Sequence, residues 1–227
     1  MRSPLKWFNP QEAVRIYRGN LPHWRQTGCL YFITFRLADS VPRHVADKWQ
    51  EERRLWMVAH GIDGYPARPD WKMHFDRLPE TERKMFERMN TKRLFTELDQ
   101  SHGECVLREL AAQQIVSNAL LHFDGDRWDV GDFIVMPNHV HALVQPLSDH
   151  PLEETLYSVK RFAAREINKH LKRTGSIWQK EYYDHIVRNV DELNKIRKYI
   201  AENPAKANLS CSAVGCYRAT WIDSATA

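Results

Sequence analysis

Two histidines separated by one residue, His139-Val140-His141, are the sharpest chemical feature of this chain. On a strand, alternate side chains share a face, so the two imidazoles stand together, roughly 7 Å apart at Cα. A pair so placed can converge on one divalent ion. Much later, Tyr199 and Asn203 lie four residues apart in a helical pattern, which makes phenol and amide neighbours on one face. A tyrosine hydroxyl can act as a nucleophile at phosphorus, and an amide oxygen is a hard donor for Mg²⁺ or Mn²⁺. Each feature alone also has an ordinary explanation. Histidines occur on polar sheet faces, a half-buried aromatic is common at a helix end, and Asn before Pro often stops a helix. Other chemistries lack their motifs: there is no HExxH, Walker loop, GxGxxG or serine elbow, and no third alternating histidine follows His141.

A basic stretch surrounds the second feature. Between residues 160 and 198, eleven Lys and Arg face five Asp and Glu, an excess of six in a chain whose net charge is only +4. Lys160, Arg161, Arg165, Lys172, Arg173, Lys180, Lys195 and Lys198 are the candidate phosphate contacts, with Trp178, Tyr182 and Tyr183 interleaved. Cations with aromatic faces suit single-stranded nucleic acid, through phosphate contacts and base stacking. A solvated helix surface over buried aromatics is the plainer alternative.

Strands and helices must position these groups. Leu30 to Leu37 reads as a strand, rich in aromatic and β-branched residues. Leu107, Leu110, Ala111, Ile115 and Ala119 mark a helix, and Trp128 to Met136 and His139 to Gln145 form two strands separated by Pro137-Asn138. Leu152, Leu156, Val159, Ala163 and Ile167 make the next amphipathic helix, and Tyr182 to Val187 a further strand. A last helix starts at a cap on Asn189 or Asp191 and runs to about Asn203, where Pro204 stops it, leaving a short irregular tail from Ala205. The order is that of an α+β fold, a ferredoxin-like split βαβ core with an antiparallel sheet and helices on one face. Residues from about 40 to 104 read as an insertion of charged helices within one domain spanning 1–227.

Composition permits this and excludes other classes. With 227 residues, 43% hydrophobic and 27% charged, the chain has a globular composition and enough length to bury a core without staples. No apolar run reaches a bilayer's span, and Met1 to Pro10 lacks a signal-peptide core, so a cytoplasmic protein is expected. Cys29, Cys105, Cys211 and Cys216 form no CxxC pair and read as reduced thiols.

Three segments together resemble a known family. They are Met136-Pro-Asn-His-Val-His-Ala-Leu143, Trp178-Gln-Lys-Glu-Tyr-Tyr-Asp184 and Tyr199-Ile-Ala-Glu-Asn-Pro-Ala-Lys-Ala-Asn-Leu209. In that order they resemble the single-tyrosine HUH transposases, and within them the REP-associated tyrosine transposase group. Pro22-His-Trp24 and Tyr31 to Leu37 add to the likeness, which covers 20–40 and 105–210 but not the helical block. Two positions depart from the group: Val159-Lys160 stands where Trp-Lys is frequent, and Tyr217 to Trp221 replaces a Pro-Trp-Ser-Ser tail.

The resemblance implies an HUH endonuclease fold, with His139, His141 and Asn203 as metal ligands and Tyr199 as the catalytic nucleophile. It implies a divalent cofactor, Mg²⁺ or Mn²⁺, and a transposase that cleaves and rejoins single-stranded, hairpin-flanked DNA through a 5′-phosphotyrosine. The expected partners are single-stranded or hairpin DNA and no membrane, for a monomer or homodimer in the cytoplasm near the nucleoid. A metal-dependent nuclease using activated water and a non-catalytic hairpin-binding protein are the alternatives.

Overall fold

Strand alternation sends the core in two directions, which determines where the site lies. The computed structural model describes residues 2–18, 22–147, 150–210 and 214–226. It opens with a hairpin of β1 (Arg15–Arg18) and β2 (Pro22–Arg25), followed by β3 (Tyr31–Arg36). Three helices come next, α1 (Arg43–Ala59), α2 (Trp71–Asp76) and α3 (Glu80–Asp99). A 3-10 turn at Val106–Arg108 leads into α4 (Leu110–Leu121), then β4 (Trp128–Val135), β5 (His139–Pro146) and α5 (Leu152–His170). β6 (Tyr183–Ile186), α6 (Val190–Lys206), β7 (Gly215–Tyr217) and α7 (Thr220–Thr226) complete it.

The main sheet has the order β6-β3-β5-β4-β7, every pair antiparallel. Its first four strands have the order of the split βαβ fold, with β5 inserted between β3 and β4. Tyr31, Ile33 and Phe35 of β3 and Val140, Ala142 and Val144 of β5 face α4 and α5 in one core. Leu152, Leu156, Val159, Ala163 and Ile167 are the buried stripe of α5, at helical spacing. The Leu, Val and Ile side chains of this stripe each contribute ~1.5–3 kcal/mol on burial. Leu30, Phe32, Ile134 and Leu143 point the other way and pack on Leu193 and Ile200 of α6 and Ile222 of α7.

The sheet is therefore covered on both faces, not on one. Near-continuous burial along β4 and β5 is the consequence, as in sheets clad by helices on two sides. A bulge between Val130 and Phe133 lets α7 approach. At Gly131 a Cβ would stand 2.7 Å from Leu143 Cβ and 2.9 Å from Ile222 Cδ1, so only glycine fits there.

Two further expectations are corrected. The last helix does not stop at Asn203 but runs to Lys206, with Pro204 in its final turn, where a lost N–H costs one backbone bond. The tail is not irregular, since β7 and α7 form there. Asn189 is the cap of α6, its side chain accepting from the Glu192 N–H at 2.9 Å. The block between β3 and the 3-10 turn is helical and has its own core of Met57, Ile62, Tyr65, Phe75 and Phe86. Cys29, Cys105 and Cys216 are free thiols, and Cys211 lies outside the described residues. Among the described residues no helix is long and apolar enough to cross a membrane.

Candidate active site

Alternation along β5 puts His139 and His141 on the α6 side of the sheet, while Val140 faces the other core. Both imidazoles are fully buried. In the β3–β5 register Thr34 stands opposite His141 and Arg36 opposite His139. Thr34 Oγ1 lies 2.7 Å from His141 Nδ1. Asn138 Nδ2 donates to the His102 carbonyl at 3.1 Å, so its Oδ1 is the atom that meets His139 Nδ1 at 2.7 Å. His139 Nδ1 must therefore carry the proton, which leaves its Nε2 lone pair free. Thr34 can accept from His141 Nδ1 in the same way. The two Nε2 atoms face each other at 3.0 Å.

α6 brings the phenol to this pair. The Tyr199 hydroxyl is 3.1 Å from His141 Nε2. Its ring is half-buried, stacked on Phe95 of α3 at 6.0 Å and edge-on to Phe32 at 6.1 Å. Lys206 holds its ammonium 4.2 Å from the ring centroid. One turn beyond Tyr199, Asn203 is fully buried, and neither Oδ1 nor Nδ2 has a hydrogen-bond partner.

Burial dominates the proton affinities. It pushes His139 down to about 3, against an opposing effect from the Asn203 amide. His141 lies well below its ordinary value through burial, then through His139 and Lys206. Both rings are neutral at physiological pH, as metal ligation requires. Burial pushes the Tyr199 phenol up, Asp99 at the end of α3 adds to the shift, and Asn203 opposes it. The phenol is therefore in its neutral, protonated form at physiological pH.

These residues fit a divalent ion. Nitrogens 3.0 Å apart can occupy neighbouring corners around an ion about 2.1 Å from each. Among the described residues no three His, Cys, Asp or Glu cluster as a metal site, so a third protein donor has to be of another type. The orphaned Asn203 amide oxygen, buried at the same place, is such a donor.

The structure brings His139, His141, Tyr199 and Asn203 together and scatters the basic stretch. Arg161 and Arg165 lie exposed on α5, beyond the sheet from the histidines, and Arg165 pairs with Glu166 at 2.8 Å. Lys172 is exposed and Arg173 pairs with Glu104. Lys195 and Lys198 are exposed on α6, the latter 3.7 Å from Glu202. Lys180 is exposed, while Lys160 donates to the Gln179 and Lys180 carbonyls at 2.9 and 3.2 Å. Burial lowers Lys160 to about 8. The excess of charge is thus not one surface beside the site, because the sheet divides it. Trp178 offers no open face to a base. It is 7% exposed, donates its N–H to the Lys160 carbonyl at 2.9 Å and packs edge-on against Phe35.

Thr34, Asn138 and Phe95 were not among the candidates. Asn138 could have been suspected from its place beside the histidines. Thr34 and Phe95 reach the site only through pairing and packing across the fold.

The family described as Transposase IS200 like matches residues 71–203, more than half of the chain. An uncharacterized protein of Haemophilus influenzae is 24% identical, over 44% of this chain and 73% of its own length. A solved REP-associated tyrosine transposase bound to a REP hairpin is 15% identical, with a TM-score of 0.44, covering 86% of this chain and 74% of the other.

Proposed function

This chain belongs to the IS200-like transposase family, and on that footing we propose that it cleaves and rejoins single-stranded DNA beside a hairpin through a covalent 5′-phosphotyrosine on Tyr199. One observation carries the reading: the Tyr199 hydroxyl lies 3.1 Å from His141 Nε2, itself 3.0 Å from His139 Nε2, with the Asn203 amide orphaned beside them. A nucleophile and three neutral metal donors on two elements meet at one point.

Each residue has a role in that chemistry. His139, His141 and Asn203 would hold a divalent ion, Mg²⁺ or Mn²⁺, which when bound supplies Lewis-acid polarisation of the scissile phosphate. Asn138 and Thr34 hold the rings by their Nδ1 atoms, so that both Nε2 lone pairs point inward. Phe95 and Phe32 fix the plane of the tyrosine ring and keep bulk water from one side of it. The Tyr199 oxygen attacks phosphorus in line, forming the tyrosyl O–P bond while the P–O3′ bond breaks. The phenolic proton is lost and the departing oxygen becomes a 3′-hydroxyl. Attack by a second strand's 3′-hydroxyl reverses the step, so joining needs no nucleotide triphosphate.

The test is an incubation of the full chain with end-labelled hairpin DNA and Mn²⁺, followed by denaturing electrophoresis. A protein–DNA adduct is expected, lost in Tyr199→Phe and in the presence of chelator. Cleavage that persists in Tyr199→Phe without an adduct would identify a nuclease using activated water. Binding without cleavage, unaffected by His139→Ala, would identify a hairpin-binding protein.

A further inference from the structure

A cleft of about 150 Å³ opens where the helical block meets the edge of the sheet. Thr34 and Arg36 of β3, Trp49 and Arg53 of α1, Asn90 of α3 and Tyr182 line it. Two of these are cations that have no carboxylate within ion-pair distance among the described residues. Arg36 spends one N–H on Ser40 Oγ at 3.0 Å, and burial alone lowers its proton affinity. Arg53 reaches Asn90 Oδ1 only at 3.4 Å, and its Nε is buried without a partner. Glu181, also on the lining, turns toward His23 at 3.7 Å instead. Guanidinium groups withdrawn from water and left unpaired are poised for an oxyanion, which they bind in a two-pronged geometry.

Trp49 supplies a second, independent feature. It is half-exposed, and its ring makes no stacking, cation or hydrogen-bond contact among the described residues. An indole face free of ring contacts, beside two guanidiniums, is a platform for one unstacked base. The cleft also adjoins the catalytic pair. Thr34 on its lining holds His141 Nδ1 at 2.7 Å, and Arg36 stands opposite His139 in the strand register.

We propose that this cleft binds one nucleotide of the single strand flanking the scissile phosphate, its phosphate on Arg36 and Arg53 and its base on Trp49. The inference rests on the single-stranded DNA reading above and gives the helical block a substrate-binding role. The two guanidiniums and the lone indole favour a nucleotide over an acidic peptide, which would leave the indole unused.

Binding is measured in full-length Tyr199→Phe protein, so that the DNA stays intact. One probe is a hairpin with a short single-stranded flank, the other the same hairpin without it, each titrated over a range of salt. The flanked hairpin is expected to bind more tightly. Adding Trp49→Ala should weaken the flanked hairpin about tenfold, leave the bare hairpin unchanged, and be largely reversed by Trp49→Phe. Arg53→Ala should reduce the salt dependence for the flanked probe alone, by about 0.7 in log–log slope. Equal losses on both probes, or no loss on either, overturn the cleft while leaving the phosphotyrosine reading to its own test. Failure of the Tyr199→Phe protein to bind either probe overturns both.

Discussion

Arg197→Ala probes how the tyrosine helix is held. Arg197 lies two residues before Tyr199, on the opposite side of α6. Its Nε is 2.8 Å from Asp132 Oδ2 in the β4 bulge, and its Nη1 is 2.6 Å from Asp223 Oδ1 of α7. The Arg197 and Asp132 side chains are 12% and 9% exposed, so this is a largely buried pair. Removing the guanidinium leaves the Asp132 carboxylate with the Ala219 N–H at 2.9 Å. Breaking a buried pair from one side costs about 3–5 kcal/mol, and the retained donor places the expectation at about 3 kcal/mol. In a chain of 227 residues, each kcal/mol moves the unfolding midpoint by about 2 °C, so a fall of roughly 6 °C follows. Asp223→Ala, which removes a half-exposed partner, should move the midpoint less. Arg197→Ala combined with Asp132→Ala should cost less than the sum of the two, because both break one interaction. Thermal and urea unfolding of the three variants and the double measure this directly. A shift under about 1 °C in Arg197→Ala, or strict additivity in the double, refutes the pairing argument.

Three other perturbations test the site itself. Because burial keeps His139 and His141 neutral, the folded chain binds fewer protons than the unfolded one, whose imidazoles titrate near 6.5. Stability is complete above that value and should fall as pH drops from about 6.5 toward about 3, where His139 charges; a urea midpoint in chelator that stays flat between about pH 7 and pH 5 would contradict this. Asn203→Ala removes an amide that has no partner, so stability should change by less than about 1 kcal/mol while the metal concentration needed for adduct formation rises. A large destabilisation without a change in metal demand would assign Asn203 a structural role. Two imidazole donors suit Mn²⁺ better than Mg²⁺, so after chelation Mn²⁺ should restore adduct formation at the lower concentration, and the reverse order would argue against direct ligation by the histidines.

The strand order was legible because each element carries its own period. Tyr31, Ile33 and Phe35 alternate with Phe32 and Thr34, and the α5 stripe recurs every three or four residues. Expecting helices on one face failed on a signal that was present. Phe32, Ile134 and Leu143 are apolar at the positions that should have met water, and such double-sided strands call for a second helical layer. The tail was harder, since the three residues of β7 are too few to show any period, and α7 is held by Ile222 beneath Gly131 and by Arg197.

At the site, legibility followed sequence distance. His139 with His141, and Tyr199 with Asn203, are local spacings, so the period of a strand and of a helix was enough to pair them. Thr34 meets His141 across 107 positions, and Phe95 enters from a block whose packing no local pattern revealed. Charge misled for a different reason. The densest basic run is where Arg165, Arg173 and Lys198 are answered by Glu166, Glu104 and Glu202, and its two helices lie on opposite faces of the sheet. Arg36 stands alone and Arg53 sits in the mixed run Glu51-Glu52-Arg53-Arg54, yet they share a cleft without a carboxylate within ion-pair distance among the described residues. What a phosphate can use is the cation left unpaired after folding, and pairing is decided by tertiary contacts that composition does not contain.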